Sequence, residues 1–462
     1  MKSQLKVVCG CALVVLAACS VGPAYKRPDI PLPAQWRDPS ANEGSAVWPS
    51  ADWWHGFGSE KLDELIAEAQ RSNDDLAAAI DRVQEADAQA RIAGAALLPS
   101  LDFGAGATRQ HAQVSGVGPE TYNTFNPELT ASYELDFWGK NRALRAAARA
   151  TAIASQYDKE TVALTVISSV ATTYLQALEF RDRLEVANQN LANGQKILRG
   201  LQLEQTAGIA TGLDVAQQET TVALLDAAIP PLQEQFRQTV NALAVLIGKT
   251  PEAIDIDSGT LNSLTSPQVV EGLPSQLLSR RPDVAESEQQ LISANADITV
   301  ARAALFPSIE LTAGGGYASS ALSTLINPAS RIWSLSAGLT QPIFHGGALR
   351  GQVVFSNAHY AELLSSYHKT VISAFSNVEN ALVAAQQTKE QQARQQKAVD
   401  TARRAFQYAQ TQMSAGIVNI LTVLNTENTL FSAQDELVQI QYLHLQSLVD
   451  LFTALGGGWQ QG

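Results

Sequence analysis

Histidine, cysteine and serine side chains come first in a search for chemistry, because they supply most metal ligands and nucleophiles. The six histidines show no metal-site spacing, and His359 and His368 stand too far apart for an i, i+4 pair on one helix. Residues 314–316 are three glycines in a predicted strand, without the Lys-Ser/Thr of a phosphate-binding loop. No GxSxG motif occurs. The sequence therefore predicts no catalytic site, no metal site and no cofactor, and it argues against an enzyme.

Cys19 is the exception, because its surroundings predict a covalent lipid. Lys2 and Lys6 precede an apolar run at residues 7–17, a pattern typical of an export signal that is too short to span a bilayer. Leu16-Ala17-Ala18 directly before Cys19 resembles the bacterial lipoprotein box, in which the cysteine is lipidated and becomes the first mature residue. The alternative is a conventional signal with an incidental cysteine.

Residues 1–18 are then a lipoprotein signal peptide, and its removal takes Cys9 and Cys11 with it. Cys19 would be the only mature thiol, so no disulfide is predicted within a mature chain. Ser20 stands where many lipoproteins kept in the inner membrane have Asp, which points to the outer membrane. A formal net charge of −13 disfavours nucleic-acid binding.

The elements that must position any site occur twice, with a constant offset of 208 residues. A gapless offset across separated motifs indicates a duplicated, domain-sized unit. The matching pairs are Ala96–Leu101 with Ala304–Ile309, Thr206–Ile209 with Ser414–Ile417, and Gly248 with Gly456.

The predicted organisation follows from this duplication and from the breaks in helical pattern. An extended arm rich in Pro and Trp covers residues 19–58. The first repeat covers residues 59–250, a connector covers 251–275 and the second repeat covers 276–462. Each repeat contains a β-hairpin, at about residues 98–138 and 306–344, followed by a long helical hairpin.

Both hairpins alternate apolar and polar residues with period two, as Leu101 and Phe103 do with Asp102. The helical stretches are unusually long, since no Gly or Pro occurs in residues 140–193 or 352–415, roughly 54 and 64 residues. Pro230-Pro231 has no counterpart in the second repeat and predicts a break there. The fold class is therefore mixed and mainly α.

A β-sandwich with its apolar face inward would be the ordinary interpretation of such strands. The chain shows only four, and four strands have open edges and cannot close a barrel alone. Two copies would supply eight strands, a barrel filled by its own side chains, whereas three copies would supply twelve and leave a lumen. The sequence thus favours closure of a channel by an oligomer.

Several motifs in the observed order resemble the TolC family of outer-membrane efflux channels, specifically its lipoprotein branch serving resistance-nodulation-division pumps. The resemblance spans essentially the whole mature chain. The motifs are Cys19-Ser20-Val21-Gly22-Pro23, Trp53-Trp54, Leu97-Leu98-Pro99-Ser100, Arg280-Arg281-Pro282-Asp283-Val284, Pro342-Ile343-Phe344 with Gly346-Gly347, and Ala415-Gly416 with Val423-Leu424.

The resemblance implies a homotrimer with a transmembrane β-barrel, four strands per chain, above a long periplasmic α-helical barrel. It implies a protein lipid-anchored in the bacterial outer membrane, with a large periplasmic portion. Small molecules would be exported through it from an inner-membrane pump and a periplasmic adaptor. The rival hypothesis is a periplasmic adaptor or structural lipoprotein, although adaptors usually carry one helical hairpin where this chain carries two.

The same resemblance assigns roles to the two helical tips. Gly208, Leu213, Gly416 and Leu421 would contact the adaptor. Asp214 matches a gate aspartate of the first tip and would form a periplasmic gate with its repeat partner Thr422 and with Asn425. Thr422 and Asn425 stand where family members often have carboxylates, so an acidic ring is not expected from the second tip. An ordinary helix N-terminal charge is the alternative role for Asp214.

Overall fold

The structure is a computed structural model that describes residues 21–31, 33, 36, 37, 49–114, 118–267, 269 and 274–459. The predicted signal peptide and Cys19 lie outside the described residues.

Helices dominate the described chain, and four of the eight α-helices have a counterpart of equal length in the other repeat. The helices are α1 (Glu60–Ser72), α2 (Asp74–Ala95), α3 (Lys140–Thr206), α4 (Gly212–Ala227), α5 (Ile229–Leu246), α6 (Pro282–Ala303), α7 (Ala348–Ser414) and α8 (Ile420–Ala454). Helix α2 has the same length as α6, and α3 has the same length as α7. The remaining four helices have no counterpart of equal length.

The four predicted strands form one antiparallel sheet in the order β1-β2-β3-β4. Their bounds are Ser100–Val114, Gly118–Glu134, Ser308–Tyr317 and Arg331–Thr340. Within each hairpin the pairing is local, but β2 also pairs with β3 of the other repeat, for example Ser132 with Thr312. The two hairpins are therefore neighbours in space although they are far apart in sequence.

The duplication is visible in the helices themselves. Both α3 and α7 contain 67 residues, and both of their ends are displaced by 348 − 140 = 414 − 206 = 208 positions. Helix α3 is longer than the predicted helical stretch of residues 140–193, because the helix continues through Gly194. A Cβ at Gly194 would stand 3.1 Å from the Leu225 side chain, so this glycine is tolerated where helices pack closely.

The repeats differ where the prolines predict a break. In the first repeat Ala228 separates α4 from α5, which begins Ile229-Pro230-Pro231, whereas α8 runs unbroken through the matching positions. Proline lacks the amide hydrogen and clashes with the preceding turn, but it fits a first helical turn. The predicted interruption is confirmed.

The chain divides into two compact units, and each unit draws on both repeats. The first contains Met1–Asp29, Asp81–Gln156 and Glu286–Lys369 and includes the whole sheet. The second contains Ile30–Ile80, Tyr157–Ala285 and Thr370–Gly462. The compact units thus differ from the sequence repeats, because the long helices continue from one unit into the other.

The predicted arm is ordered where it is described. In the first unit, the carbonyl of Pro23 accepts a hydrogen bond from Asn295 Nδ2 at 3.0 Å. In the second unit, Trp53 stacks on Phe452 with ring centroids 4.9 Å apart. The expectation of a purely extended arm is wrong at one point, because Trp53–Phe57 forms a 3₁₀ turn that buries three aromatic rings against the helices.

A buried helical seam lies in the second unit. Val371, Val378 and Leu382 of α7 are buried, seven and four residues apart, spacings that keep them on one face of the helix as in coiled-coil packing. The main core of this unit surrounds Tyr174, Leu175 and their neighbours on α3. Burial of these apolar side chains stabilises the long helices, whose other side chains are largely polar.

Candidate functional site

One face of the sheet is apolar across all four strands in the half of the sheet nearest the helices. Residues directly opposite one another on paired strands share a face. One such row is Leu101, Ala131, Ala313 and Leu335, and the next is Phe103, Leu129, Gly315 and Trp333. Trp333 is 82% exposed and Leu335 75% exposed in the single chain. This apolar surface needs a nonaqueous environment, because its exposure to water is costly.

The opposite face of the sheet is polar. Ser100, Ser132, Thr312 and Ser336 form one of its rows. No lysine or arginine of the four described strands occupies this face. Its charged residues are all carboxylates, namely Asp102, Glu120, Glu128, Glu134 and Glu310. A sheet with one apolar and one acidic, water-compatible face has the polarity of a membrane channel wall.

The sheet has two open edges within the described chain. Strands β1 and β4 each pair on one side only. Every residue of β4 is exposed in the single chain. Unpaired edge strands with exposed backbone groups are templates for pairing with another chain.

A packed junction connects the sheet to the helices in the first unit. Trp138 stacks on Phe306 at 4.7 Å, and its indole Nε1 donates to the carbonyl of Pro307 at 2.7 Å. Asp136 accepts hydrogen bonds from the amides of Asn141 and Arg142 at the start of α3. The carboxylate thereby satisfies amides that a helix N-terminus leaves free. The strand ends and helix starts are consequently tied together.

The tips of the helical hairpins lie in the second unit. Gly208 and Gly416 adopt left-handed φ angles of 76° and 73° directly after α3 and α7. The amide of Ile209 donates to the carbonyl of Glu204 at 2.8 Å, and that of Ile417 donates to Gln412 at 2.8 Å. These bonds end both helices in the same Schellman motif, whose left-handed residue can be glycine without steric cost. The predicted helix breaks at both glycines are confirmed.

The structure places Asp214 in a capping box. Its Oδ2 accepts hydrogen bonds from the Thr211 amide at 2.8 Å and from the Thr211 hydroxyl at 2.7 Å, while Thr211 Oγ1 accepts from the Asp214 amide at 3.2 Å. These bonds to Thr211 lower the pKa of Asp214. The carboxylate therefore stabilises the start of α4, the alternative role that the sequence left open.

The second tip uses a different cap. Asn419 Oδ1 accepts from the amide of Thr422 at 3.3 Å and from its hydroxyl at 3.2 Å. Asn425 is exposed one turn later, and its carbonyl accepts from the Thr429 hydroxyl. Thr422 and Asn425 thus lie together at the start of α8, and Asp214 occupies the matching position on the first tip.

Apolar side chains project from both tips at repeat-related positions. Ile209 and Leu213 on the first tip and Ile417 and Leu421 on the second are exposed. The tips are built on a buried cluster that includes Val215, Phe406 and Val423. A pair of matching apolar patches on a rigid support is typical of a protein contact surface.

Comparison with known proteins identifies the architecture. The sequence profile of the family described as outer membrane efflux protein matches residues 65–249 and 273–457. The two matched segments begin and end 208 residues apart, the offset seen in the helices. The chain belongs to the outer membrane efflux protein family.

Relatives match over almost the full length. The chain is 40% identical over 466 residues to the pyoverdine export outer membrane protein OpmQ of Pseudomonas aeruginosa, covering 99% of this chain and 97% of the relative. It is 32% identical to the cation efflux system protein CusC of Escherichia coli K12, covering 99% of this chain and 100% of the relative.

Solved structures agree with this assignment. The outer-membrane channel OprN matches with a TM-score of 0.90 at 26% identity, covering 96% of this chain and 100% of that one. A CusC crystal structure matches with a TM-score of 0.84 at 31% identity, covering 95% of this chain and 100% of that one. The protein is an outer-membrane efflux channel with a large periplasmic portion, so the predicted fold class, function and location are confirmed.

One polar group of this efflux channel was missed by sequence reasoning. Glu427 of α8 is fully buried beside Gln218 of α4, and neither of its carboxylate oxygens has a hydrogen-bond partner among the described residues. Burial raises the pKa of Glu427 to about 7, although Gln218 partly opposes the shift. A signal was present, because Glu427 interrupts the apolar stripe that Val423, Leu424 and Leu430 form with helical spacing.

Proposed function

We propose that three copies of this chain close a wall of twelve strands around a polar bore, with the apolar face toward lipid. The observation that carries the proposal is the strand register, which puts apolar residues on one face and carboxylates on the other. The open edges of β1 and β4 supply the surfaces for pairing between neighbours. Three copies leave a lumen, whereas two would give a barrel filled by side chains.

The tips would engage a periplasmic adaptor that connects the channel to an inner-membrane pump of the resistance-nodulation-division class. Leu213 and Leu421 are exposed and related by the repeat, so a trimer would present six similar patches. Gly208 and Gly416 hold these patches at the ends of the helices. This arrangement suits an adaptor that repeats around the same axis.

A lipid on Cys19 would anchor the chain in the outer membrane. Cys19 precedes Val21 by two residues. The arm that follows packs closely against α6 in the first unit, because a Cβ at Gly22 would collide with Thr299 of that helix. Thr299 lies one turn before the end of α6, close to the start of β3. An acyl chain at Cys19 would therefore begin near the sheet, where the membrane is expected.

The tunnel entrance would be gated at the tips by Asp214, Thr422 and Asn425. Three copies of each would surround the axis, and their polar groups could hold neighbouring tips together. Asp214 is ionised at neutral pH, because the Thr211 hydrogen bonds lower its pKa. A ring of three like charges would also attract cations to the entrance.

The chain would conduct cargo without catalysing a reaction on it. The relatives carry different cargo in their names, such as pyoverdine for OpmQ, cations for CusC and toluene for TtgF of Pseudomonas putida. We infer that selection takes place in the pump and that this channel conveys what the pump delivers.

Purified full-length protein tests the central proposal. Native mass spectrometry in detergent should give a trimer, and planar bilayers should show discrete conductance steps. A water-soluble monomer that leaves the bilayer conductance unchanged would support a periplasmic adaptor instead.

Export assays test the tips separately. Leu213→Glu with Leu421→Glu should abolish export while trimers still assemble. Leu224→Glu, at an exposed position farther along α4, serves as the control and should export normally. Equal export in all three proteins would contradict adaptor contact through these residues.

A further inference from the structure

Two grooves in the first unit are related by the duplication, and among the described residues only one of them is filled. Residues 22–27 of the arm lie along α6, where Arg27 Nε donates to Glu288 Oε1 at 2.7 Å. The arm also approaches α7, because Arg27 interacts with the side chain of Tyr367. The groove between α6 and α7 is thus occupied by the chain itself.

The matching groove between α2 and α3 holds no other segment of the described part of the chain. Its cavity has a volume of about 850 Å³. Asp87, Arg91 and Ala152 line this cavity. Their repeat partners 208 positions later are Asn295, Thr299 and Tyr360, and these three residues lie beside the arm. Because the two grooves are related by the repeat, the open groove lies on the same side of the helices as the arm.

The open groove is strongly basic. Arg91, Arg145 and Arg149 line it against a single carboxylate, that of Asp87. In the described part of the chain, no carboxylate pairs with any of the three guanidinium groups. Gly94 makes room for Arg145, whose Cδ would stand 3.6 Å from a Cβ at that position. Three unpaired guanidiniums around one cavity form a site for an anion.

The position of the groove points to lipid. Arg91 lies four residues before the end of α2, and Arg145 five residues after the start of α3. At about 1.5 Å per residue, these positions are about 6 to 8 Å from the helix ends, comparable to the thickness of the headgroup layer. Leu97 and Leu98 line the same cavity on the side of the sheet. The groove therefore combines apolar and basic walls where the headgroups of the periplasmic leaflet are expected.

A neighbouring helix of another copy is a less suitable occupant. Ser293 of α6 donates to the carbonyl of Ala147 of α3 at 3.1 Å, so α3 already has α6 on its other side. The groove between α2 and α3 is consequently internal to the run of helices contributed by one chain. A copy that pairs at the edges of the sheet would not cover it.

We propose that the groove between α2 and α3 binds the phosphate headgroup of an anionic phospholipid from the periplasmic leaflet of the outer membrane. Arg91, Arg145 and Arg149 hold the phosphate oxygens through paired N–H donors, and the acyl chains pass Leu97 and Leu98 toward the apolar face of the sheet. In the first repeat, the lipid occupies the groove that corresponds to the groove occupied by the arm in the second repeat. This proposal rests on the membrane position of the sheet given above.

Native mass spectrometry of the delipidated full-length channel tests the proposal, with phosphatidylglycerol and phosphatidylethanolamine as the two probes. The wild type should bind phosphatidylglycerol preferentially. Arg145→Gln with Arg149→Gln should weaken that binding roughly thirtyfold, since each arginine near a headgroup contributes about a fivefold gain in affinity.

The matched control is Arg199→Gln with Arg404→Gln, which removes the same charge from exposed positions on α3 and α7 far from the groove. It should bind phosphatidylglycerol as the wild type does. Soluble glycerol phosphate should not displace the lipid, because it lacks acyl chains. Equal lipid binding in the wild type and both variants, or full displacement by glycerol phosphate, would overturn the proposal.

Bilayer conductance of the same proteins separates this proposal from the channel function. Normal conductance with no preference for phosphatidylglycerol would contradict the lipid site alone. Absence of conductance in the wild type would contradict the channel. Dissociation of the arginine variant into monomers without lipid would show that the groove belongs to a contact between copies, and would also contradict the lipid site.

Discussion

The carboxyl group of Glu427 lies fully buried beside the amide of Gln218, in the helices behind the two tips. The amide Nε2 of Gln218 donates to the carbonyl of Gly194 at 2.9 Å, so its oxygen is the part left without a partner. An ionised Glu427 would be a buried charge, and the Gln218 side chain offsets the cost of that charge only in part. Protonation of Glu427 is therefore favourable in the folded protein.

The stability of the channel should fall as pH rises from about 4.5 to 7. Burial raises the pKa of Glu427 from 4.5 to about 7, so the folded state binds a proton that the unfolded state has lost in this interval. The stabilising effect is complete below pH 4.5 and is lost above pH 7, with a total of about 3 kcal/mol per chain. Glu427→Gln should abolish this part of the pH dependence, as measured by the thermal unfolding midpoint in detergent.

Glu219→Gln is the control, because Glu219 occupies the matching position of the first repeat and is exposed. It should keep the pH dependence of the wild type. If Glu427→Gln and the wild type lost stability in parallel between about pH 4.5 and 7, Glu427 would not be the titrating group.

Arg183 should contribute more to stability than an exposed arginine does. It forms two hydrogen bonds with Asp435, at 2.8 and 3.2 Å, and one with the buried Glu179 at 3.3 Å. Arg183→Ala leaves two neighbouring carboxylates without their cation, and we expect a loss of about 3 kcal/mol in the free energy of unfolding. Arg394→Ala, which breaks an exposed pair with Glu390, should cost less than about 1 kcal/mol. Similar melting temperatures for both variants would contradict this prediction.

Gly248 and Gly456 should tolerate substitution poorly. Both have left-handed φ angles, and a Cβ on either would collide with a backbone carbonyl, that of Ser72 or that of Arg280. Alanine at either position must displace the opposing backbone and should cost several kcal/mol. Gly416→Ala has the same φ strain but meets open space, so it should cost only about 1 to 2 kcal/mol. Thermal unfolding of the three variants provides the comparison, and equal losses would refute the role of the carbonyl contact.

The gate and the helix cap at Asp214 can be distinguished by conductance. Thr211→Ala removes the side-chain bonds of the cap but keeps the carboxylate, whereas Asp214→Ala removes both. If Asp214 holds the closed entrance through its charge, Asp214→Ala should raise the leak conductance of single channels and Thr211→Ala should raise it much less. Equal increases would assign the effect to the cap, and unchanged currents in both would exclude Asp214 from the gate.

Much of the fold was predictable because its signals are local or periodic. Alternation along β1 and β4 identified the strands, and the absence of Gly and Pro identified the long helices. Pro230-Pro231 marked the break between α4 and α5 because proline acts on its own helical turn. Around the site, Gly208 and Gly416 were predictable for the same reason, since the left-handed helix end is a local requirement.

The sequence by itself determined the duplication, the element types and the two faces of each strand, since these depend on neighbours within a few residues or on a fixed offset. Only the tertiary structure decided that β2 pairs with β3, that Glu427 is buried beside Gln218, and that the arm fills one of two equivalent grooves. These outcomes depend on which distant segments pack together, because burial and pairing are set by long-range contacts that no local pattern encodes.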